Sequence, residues 1–156
     1  MIEKLQEIID SSNSIVFFGG AGVSTESGIP DFRSTSGLYH QEWNYPPETI
    51  LSKTFFNQHT AEFYRFYNAK MLTEKVEPNP AHLKLAEMEA HGKLSCVITQ
   101  NIDGLHQKAG SKTVHELHGS TLRNYCTECK AFYDVSYMTN KEHWDSKGIP
   151  RCTKCN

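Results

Sequence analysis

The chain has 156 residues, a formal net charge of −2 and 38% hydrophobic residues. This length and composition predict one moderate hydrophobic core, with room for a small appended module. The small net charge gives no general electrostatic reason to expect binding to nucleic acid or to anionic membranes. The sequence contains neither an apolar run of roughly 18 residues nor a signal-peptide pattern, so we expect a cytoplasmic protein without membrane contact.

The first 33 residues contain a helix pattern, a strand pattern and a glycine-rich turn. Residues 1–10 predict an amphipathic packing helix, and the apolar run 15–18 predicts a short strand buried on both faces. Gly20 and Gly22 follow, and a turn of such small residues lets the backbone approach a phosphate closely. We therefore expect a nucleotide at the carboxyl end of this strand. The glycines alone fit an ordinary tight strand–helix turn equally well.

The dinucleotide-binding fingerprint G-x-G-x-x-G is incomplete, because Thr25 stands where the third glycine belongs. The tail G-I-P-D-F-R ends at Arg33. It contains a proline, an acidic, an aromatic and a basic residue that a nucleotide-binding turn does not require. Residues 20–33 as a whole resemble the signature of the sirtuins, the NAD-dependent protein-lysine deacylases. The resemblance implies NAD-binding roles for Gly20, Ala21, Gly22, Thr25, Asp31, Phe32 and Arg33.

A second strand and a second polar segment follow further along the chain. Pro80 predicts the start of a helix that stops near Gly92, and residues 94–99 predict another buried strand. Helices between apolar strands favour an α/β fold with a Rossmann-like parallel sheet. Residues 99–103 then place polar side chains where such a sheet binds its ligand. From spacing alone, a capped turn into the next helix is the alternative.

The segment 99–103 reads T-Q-N-I-D and matches the second sirtuin motif residue for residue. The resemblance implies that Asn101 and Asp103 lie beside the nicotinamide pocket, together with Ile102. It implies that Gln100 meets the nicotinamide ribose.

Two histidines, His115 and His118, lie three residues apart in a segment that we expect to be extended. They would then fall on opposite faces, which argues against a shared metal ion. The sirtuin pattern E-L-H-G ends with the glycine after His118 and implies that this histidine is the general base. The unperturbed pKa of histidine lies near neutral pH and suits that role. For His82 and His115 we expect structural roles.

Four of the five cysteines form two C-x-x-C pairs separated by 22 residues. A redox dithiol needs one pair only, so two pairs predict a closed, structural zinc site with four thiolate ligands. The ligands are Cys126, Cys129, Cys152 and Cys155. Sirtuins carry such a four-cysteine zinc ribbon inserted into the dinucleotide-binding domain. We therefore expect an NAD-binding domain over residues 1–122 and a zinc-binding ribbon over residues 123–156.

The resemblance implies an NAD-dependent protein-lysine deacetylase that acts on acetylated-lysine proteins. In the implied mechanism, the acetyl carbonyl oxygen attacks C1′ of the nicotinamide ribose and nicotinamide leaves. His118 then takes a ribose hydroxyl proton, and the products are free lysine and O-acetyl-ADP-ribose. NAD is thus consumed as a co-substrate.

Sirtuins continue past the zinc cysteines with the second half of their sheet, whereas this sequence stops one residue after Cys155. We therefore expect an incomplete sheet in a truncated sirtuin.

One alternative is a catalytically incomplete fragment that acts as a zinc-ribbon binding or scaffold module. Another is an NAD dehydrogenase, but the region near Trp43 is poor strand material for its ribose-binding acid. Acidic residues offset the basic ones in the zinc segment, so nucleic-acid binding has little support.

Overall fold

The computed structural model describes residues 2–34, 37–38, 43–72 and 75–155. The chain folds into two compact units, and each of them combines two stretches of sequence. The first unit is Met1–Ile29 with Val76–His118, and the second is Pro30–Lys75 with Gly119–Asn156. Within the described ranges, no helix has the length and apolarity needed to cross a membrane.

The described helices and strands follow in chain order. The helices are α1 (Ile2–Ser11), α2 (Pro47–Ile50), α3 (Lys53–Gln58), α4 (Thr60–Lys70), α5 (Pro80–Ala90), α6 (Leu105–Lys108) and α7 (Val135–Thr139). The strands are β1 (Ile15–Gly19), β2 (Leu94–Thr99), β3 (Val114–Glu116), β4 (Arg123–Tyr125) and β5 (Phe132–Asp134). Two 3₁₀ helices are Ala21–Ser27 and Lys141–His143.

The first unit is built on a parallel sheet with the strand order β1-β2-β3. The prediction of an α/β fold with a parallel sheet is confirmed, including both strands expected from apolar runs. Helix α5 is the last helix between β1 and β2 in sequence, and it packs beside β2. It starts at Pro80 behind the cap Asn79, and Gly92 follows its end with a left-handed φ of 72°. Glycine suits this position because it has no Cβ to clash in that conformation.

The core of the first unit lies between α5 and one face of the sheet. Its buried members are Leu85, Leu94 and Val97. Partly buried side chains surround them, namely Ile15, Phe17, Met88 and Val114. Alternate residues of a strand point to opposite faces, so the strand register decides which side chains reach the covered side.

The prediction that β1 is buried on both faces is wrong. Val16 and Phe18 are 53% and 61% exposed, whereas Ile15 and Phe17 face the core. The apolar run thus encoded a strand but not a second packed layer. The large side chains of β1 on this face are thus more than half exposed, although parallel sheets are usually covered on both faces.

Helix α1 forms where the sequence predicts it, but the expected packing of its apolar side is not observed. Ile2, Leu5 and Ile8 are all more than half exposed. Its carboxyl end is tied down by Lys93, whose ammonium donates to the carbonyl oxygens of Ile9, Asp10 and Ser12 at 2.9–3.2 Å. A cation at this end also interacts favourably with the helix dipole.

The second unit contains a helical part and a ribbon. In the helical part, Ile50 and Phe66 are fully buried, and the Trp43 ring meets Phe66 edge-on at 4.9 Å. Phe66 belongs to the aromatic-rich helix α4, and its side chain lies in the core of this unit. The ribbon pairs β4 with β5 in antiparallel fashion, and α7 follows with Met138 buried.

One face of the sheet is packed and the other is exposed, so the same Val→Ala substitution should lower the free energy of unfolding by different amounts on the two faces. Val97→Ala, at a residue with 0% exposure, should lower the free energy of unfolding by about 2 to 3 kcal/mol through lost burial and a residual cavity. Val16→Ala, at a half-exposed residue, should cost less than about 1 kcal/mol. Urea unfolding followed by circular dichroism measures both values. Equal costs would contradict the one-sided packing.

Candidate active site and metal centre

The carboxyl ends of the three parallel strands meet at one edge of the first unit. Gly19 pairs with Thr99, and Thr99 pairs with Glu116. The pairing continues past the strands, because the Gln100 N–H donates to the Gly19 carbonyl oxygen at 3.0 Å. The Leu117 N–H donates to the Thr99 carbonyl oxygen at 2.9 Å. The glycine turn, the segment 99–103 and the segment 114–118 are thereby brought together, as the parallel sheet requires.

The glycine turn forms a seven-residue 3₁₀ helix, and its backbone is open. A Cβ atom at Gly20 or Gly22 would meet no atom within 4 Å. The N-cap residue is Gly20, which has no side chain that could cap the start of this helix. Thr25 is exposed, and its hydroxyl donates to the Gly22 carbonyl oxygen at 3.0 Å. Space beside an uncapped helix start fits the close approach of a phosphate.

Ser24, which the sequence reasoning did not single out, is the centre of a buried polar network. Its hydroxyl donates to Asp103 Oδ2 at 2.7 Å and accepts from Asn101 Nδ2 at 3.0 Å. Its third neighbour is His82 Nε2, at 3.5 Å. A hydroxyl has one donor and two acceptor positions, so these three contacts use its full capacity. The only sequence signal was a small polar residue inside a turn that already looked functional.

His82 reaches this network from the start of α5. The Asn79 N–H donates to His82 Nδ1 at 3.3 Å, so the neutral ring carries its proton on Nε2, the nitrogen that faces Ser24. The Asn79 side chain accepts from the Ala81 N–H at 3.0 Å and donates to the Val23 carbonyl oxygen at 2.7 Å. The start of α5 is therefore fastened to the glycine turn.

Asn101 and Asp103 are both held in place by their own segment as well. Asn101 is 9% exposed, and its N–H donates to Thr99 Oγ1 at 3.0 Å. Asp103 Oδ1 accepts from the Leu105 N–H at 2.9 Å, which begins α6. The capped turn that was the alternative interpretation is therefore present, and the same carboxylate also joins the Ser24 network. Ile102 lies between them and is half-buried.

His118 lies two residues past β3 and is exposed. Its Nδ1 is 3.0 Å from the Gln100 carbonyl oxygen. A carbonyl oxygen can only accept, so Nδ1 carries the proton of the neutral ring and Nε2 has a lone pair. This tautomer leaves Nε2 able to take up a proton. His115 belongs to β3 and pairs with Ile98 instead.

Asp31, Phe32 and Arg33 belong to the second unit, and their membership in the same site stays a prediction. Locally, Asp31 Oδ1 accepts from the Ser34 N–H at 2.9 Å. Hydrogen bonding from Ser34 lowers the pKa of Asp31 below its ordinary value, so this carboxyl group is charged at neutral pH.

Among the described residues, one group of His, Cys, Asp and Glu side chains has the arrangement of a metal centre. It consists of Cys126, Cys129, Cys152 and Cys155, whose sulfur atoms all lie within 4.8 Å of one another. Two of the sulfur pairs are separated by 3.5 Å and 3.6 Å. A tetrahedral zinc ion with Zn–S bonds of about 2.3 Å needs sulfur separations of about 3.8 Å. The donor set therefore fits zinc.

The charges of the four sulfur atoms also fit a cation. The Tyr133 hydroxyl donates to Cys152 Sγ at 3.1 Å and lowers the pKa of Cys152 to about 5. Hydrogen bonding to Cys126 and to the other neighbouring sulfurs raises the pKa of Cys155 to about 12. Four sulfurs this close repel one another as thiolates, and a divalent cation would remove that repulsion.

The model of the Sir2 family matches residues 20–156. The chain belongs to the Sir2 family. This confirms the resemblance to the sirtuins and covers the glycine turn, the T-Q-N-I-D segment, His118 and the four cysteines.

Relatives and solved structures agree with this assignment. The chain is 56% identical to an NAD-dependent protein deacetylase of Clostridium perfringens, over 99% of this chain and 62% of that protein. It is 55% identical to the enzyme of the same name from Clostridium acetobutylicum, again over 62% of its length. A structure of Sir2 with a p53 peptide and NAD⁺ is 41% identical, with a TM-score of 0.81, over all of this chain and 60% of that one. A Sir2 structure with a deacetylated p53 peptide and 3′-O-acetyl-ADP-ribose has a TM-score of 0.86 at 40% identity, over 99% of this chain and 61% of that chain. The chain thus spans about 60% of the length of these Sir2 proteins.

A second buried histidine in this Sir2 chain predicts sensitivity to acid. His106 is 1% exposed, lies 4.7 Å from the His82 ring, and its ring nitrogens have no hydrogen-bond partner in the described part of the chain. Burial, with a smaller effect of His82, lowers the pKa of His106 from 6.5 to about 4, although the Asp103 carboxylate opposes the shift. Burial also lowers the pKa of His82. Below pH 6.5, His106 and His82 therefore bind protons in the unfolded state that they do not bind in the folded state.

The free energy of unfolding should consequently fall as the pH drops from 6.5 towards 4, by at most about 3 kcal/mol for His106. Denaturant unfolding at a series of pH values between 6.5 and 5 measures this loss, above the range where carboxyl groups titrate. In the matched variant His106→Phe the slope should become shallower by the share of His106, whereas the contributions of His82 and of the low-pKa thiol of Cys152 remain. An unchanged slope would show that His106 does not titrate in this way.

Proposed function

We propose that this Sir2 chain carries the NAD-binding and catalytic residues of a protein-lysine deacetylase. The reaction transfers the acetyl group of a modified lysine to the ADP-ribose part of NAD and releases nicotinamide. The observation that carries the proposal is the meeting of three elements at one sheet edge. An open glycine turn, the Asn101–Asp103 pair held by Ser24, and His118 with its Nδ1 against the Gln100 carbonyl oxygen all lie there. The names of the curated relatives support the same activity.

The proposed NAD-binding residues of the first unit fall into two groups. The open backbone of the glycine turn suits the phosphates and the adjoining ribose, through Gly20, Ala21, Gly22 and Thr25. The polar segment suits the nicotinamide and its ribose, because amide and carboxylate groups provide both donors and acceptors. Its members are Gln100, Asn101, Ile102 and Asp103. From the second unit we propose that Asp31, Phe32 and Arg33 hold and cover NAD.

In this proposal His118 is the general base, and Nε2 accepts a proton from a ribose hydroxyl group. The Gln100 carbonyl oxygen fixes the required tautomer by accepting from Nδ1 at 3.0 Å. The same contact orients the ring, so the base needs little reorganisation when it reacts. Chemically, NAD supplies the ribose carbon that receives the acetyl oxygen.

Acetylated-lysine proteins are the proposed substrates. A Sir2 structure that is 41% identical to this chain contains a p53 peptide and NAD⁺. For this chain, neither nucleic acid nor a membrane is a proposed partner. A cytoplasmic location fits the proposal, because a reducing compartment keeps thiols available for a metal, and all five cysteines are free.

The proposed metal is one structural zinc ion held by the four clustered cysteines. All four donors come from the protein, so the site is closed and leaves no position for a reacting water. The ion would stabilise the ribbon, whose core is small, and we retain the proposed domain division into residues 1–122 and 123–156.

A non-catalytic role of the chain is the second candidate, because the chain spans about 60% of the length of the relatives. In that case the ribbon would serve as a binding or scaffold module. Calorimetric titration of the 156-residue chain with NAD separates the two candidates, since a pure scaffold should show no binding.

Replacement of the proposed base should abolish catalysis without preventing the binding of NAD. We expect His118→Ala to lower NAD-dependent deacetylation of an acetyl-lysine peptide by at least about 100-fold, while NAD binding changes little. Nicotinamide release measured by chromatography gives the rate, and calorimetry gives the affinity. His115→Ala makes the same chemical change three residues away and should keep the activity of the unmodified chain. Full activity of His118→Ala would refute the proposed base.

Metal removal should affect the ribbon. We expect one zinc ion per chain by elemental analysis, and a strong chelator should shift the fluorescence of Trp144, whose indole donates to the Met138 carbonyl oxygen at 3.1 Å. Cys129→Ser should abolish stoichiometric zinc. Cys96→Ser, at the cysteine outside the cluster, should retain it. A chain that purifies without zinc and keeps its ribbon fluorescence after chelation would contradict a structural metal.

A further inference from the structure

Gly37 and Leu38 fold back against the segment 31–33 in the second unit. Both residues are buried, and Leu38 is only 2% exposed. The Leu38 N–H donates to the Asp31 carbonyl oxygen at 2.9 Å, and the Gly37 N–H donates to the Ser34 carbonyl oxygen at 2.8 Å. Backbone hydrogen bonds therefore hold these two residues directly against the segment that carries Asp31 and Arg33.

The contact at Gly37 leaves no room for a side chain. A Cβ atom there would lie 2.8 Å from the Phe32 carbonyl carbon, 2.9 Å from the Arg33 nitrogen and 2.9 Å from the Asp31 carbonyl oxygen. Real Cβ atoms essentially never come within 3.0 Å of another heavy atom, and all three neighbours are backbone atoms. A backbone cannot swing aside as the tip of a flexible side chain can. Any other residue at position 37 must therefore push the two sides of this turn apart.

Asp31 stabilises the other side of this turn by accepting two hydrogen bonds. Its carbonyl oxygen receives the Leu38 N–H, and its carboxylate receives the Ser34 N–H at 2.9 Å. A displacement of the backbone at residue 37 would strain the Leu38–Asp31 contact directly. It would also pull on Ser34, because the Gly37 N–H donates to the carbonyl oxygen of the residue whose N–H the Asp31 carboxylate holds. The orientation of the following side chains, Phe32 and Arg33, depends on the same short backbone.

We propose that Gly37 is a positioning residue that sets Asp31, Phe32 and Arg33 for NAD binding. This inference rests on the proposed function, in which these three residues hold and cover NAD. Gly37 acts through backbone contact alone and touches no ligand. A shift of about 1 Å in a positioning group is enough to cost about 100-fold in an enzyme's rate.

The test compares two glycine-to-alanine variants of the whole chain. Gly37→Ala introduces the clash, whereas Gly92→Ala adds a Cβ that meets no atom within 4 Å. Gly92 has a φ of 72°, so its variant loses stability through backbone strain and controls for general destabilisation. Gly92 lies at the end of α5 and has no part in the proposed site.

Calorimetry should show an NAD dissociation constant at least about tenfold higher for Gly37→Ala, and a value within about twofold of the unmodified chain for Gly92→Ala. Amide exchange measured by NMR should be at least about tenfold faster at Leu38 in Gly37→Ala only. An NAD affinity of Gly37→Ala within about twofold of the unmodified chain overturns the proposal.

The exchange measurement keeps this test separate from the proposed function. If the unmodified chain fails to bind NAD, the proposed function is contradicted for this chain, and the exchange rate at Leu38 then decides the positioning. Unchanged exchange in Gly37→Ala overturns it, and faster exchange supports it. If Gly37→Ala does not fold, the proposal is tested on the unmodified chain by comparing amide exchange at Leu38 with and without NAD. NAD should slow the exchange of the Leu38 amide at least about tenfold, and no slowing overturns the proposal.

Discussion

The buried hydroxyl group of Ser24 is the contact on which the site of the first unit depends. Its hydrogen bonds reach Asp103 and Asn101, and His82 is its third neighbour. These partners follow β2 or belong to α5, so a single group joins the glycine turn to two other elements. A buried polar group without partners costs about 1 to 3 kcal/mol. The arrangement in which all of these groups are paired is therefore strongly favoured, and it presents Asn101 and Asp103 in one orientation.

The sheet that carries this site is covered on one side only, as far as the described residues extend. Leu85 of α5 packs with Val97 on the covered face, whereas Val16 and Phe18 are exposed on the other. Two-sided cover is usual for parallel sheets, and the chain spans about 60% of the length of its Sir2 relatives. The sheet is therefore a part of the sheet of a Sir2 protein. Its site edge is nevertheless formed, because the pairing of Gly19, Thr99 and Glu116 needs only these three strands.

Much of the fold could be predicted because its signals are local. The β-branched run at Val97, the Pro80 start of α5 and the Gly92 stop each depend on residues that are close in sequence. The spacing of the cysteines likewise encodes a metal centre, because each C-x-x-C pair is a local ligand unit. Exposure of Phe18 could not be predicted in this way. An apolar strand residue looks the same whether or not another layer covers it.

The sequence by itself determined the family and the parallel sheet, and it named the candidate site residues other than Ser24, since each motif is a continuous stretch. Only the tertiary structure decided how those residues are held. Ser24 and Asp103 are 79 positions apart, and the proton of His118 is fixed by the carbonyl oxygen of Gln100, 18 positions away. The tight contact of Gly37 with the Asp31 backbone is equally invisible in the sequence. The physical reason is that hydrogen bonds and close contacts of this kind depend on strand register and chain reversal, which bring distant residues within about 3 Å.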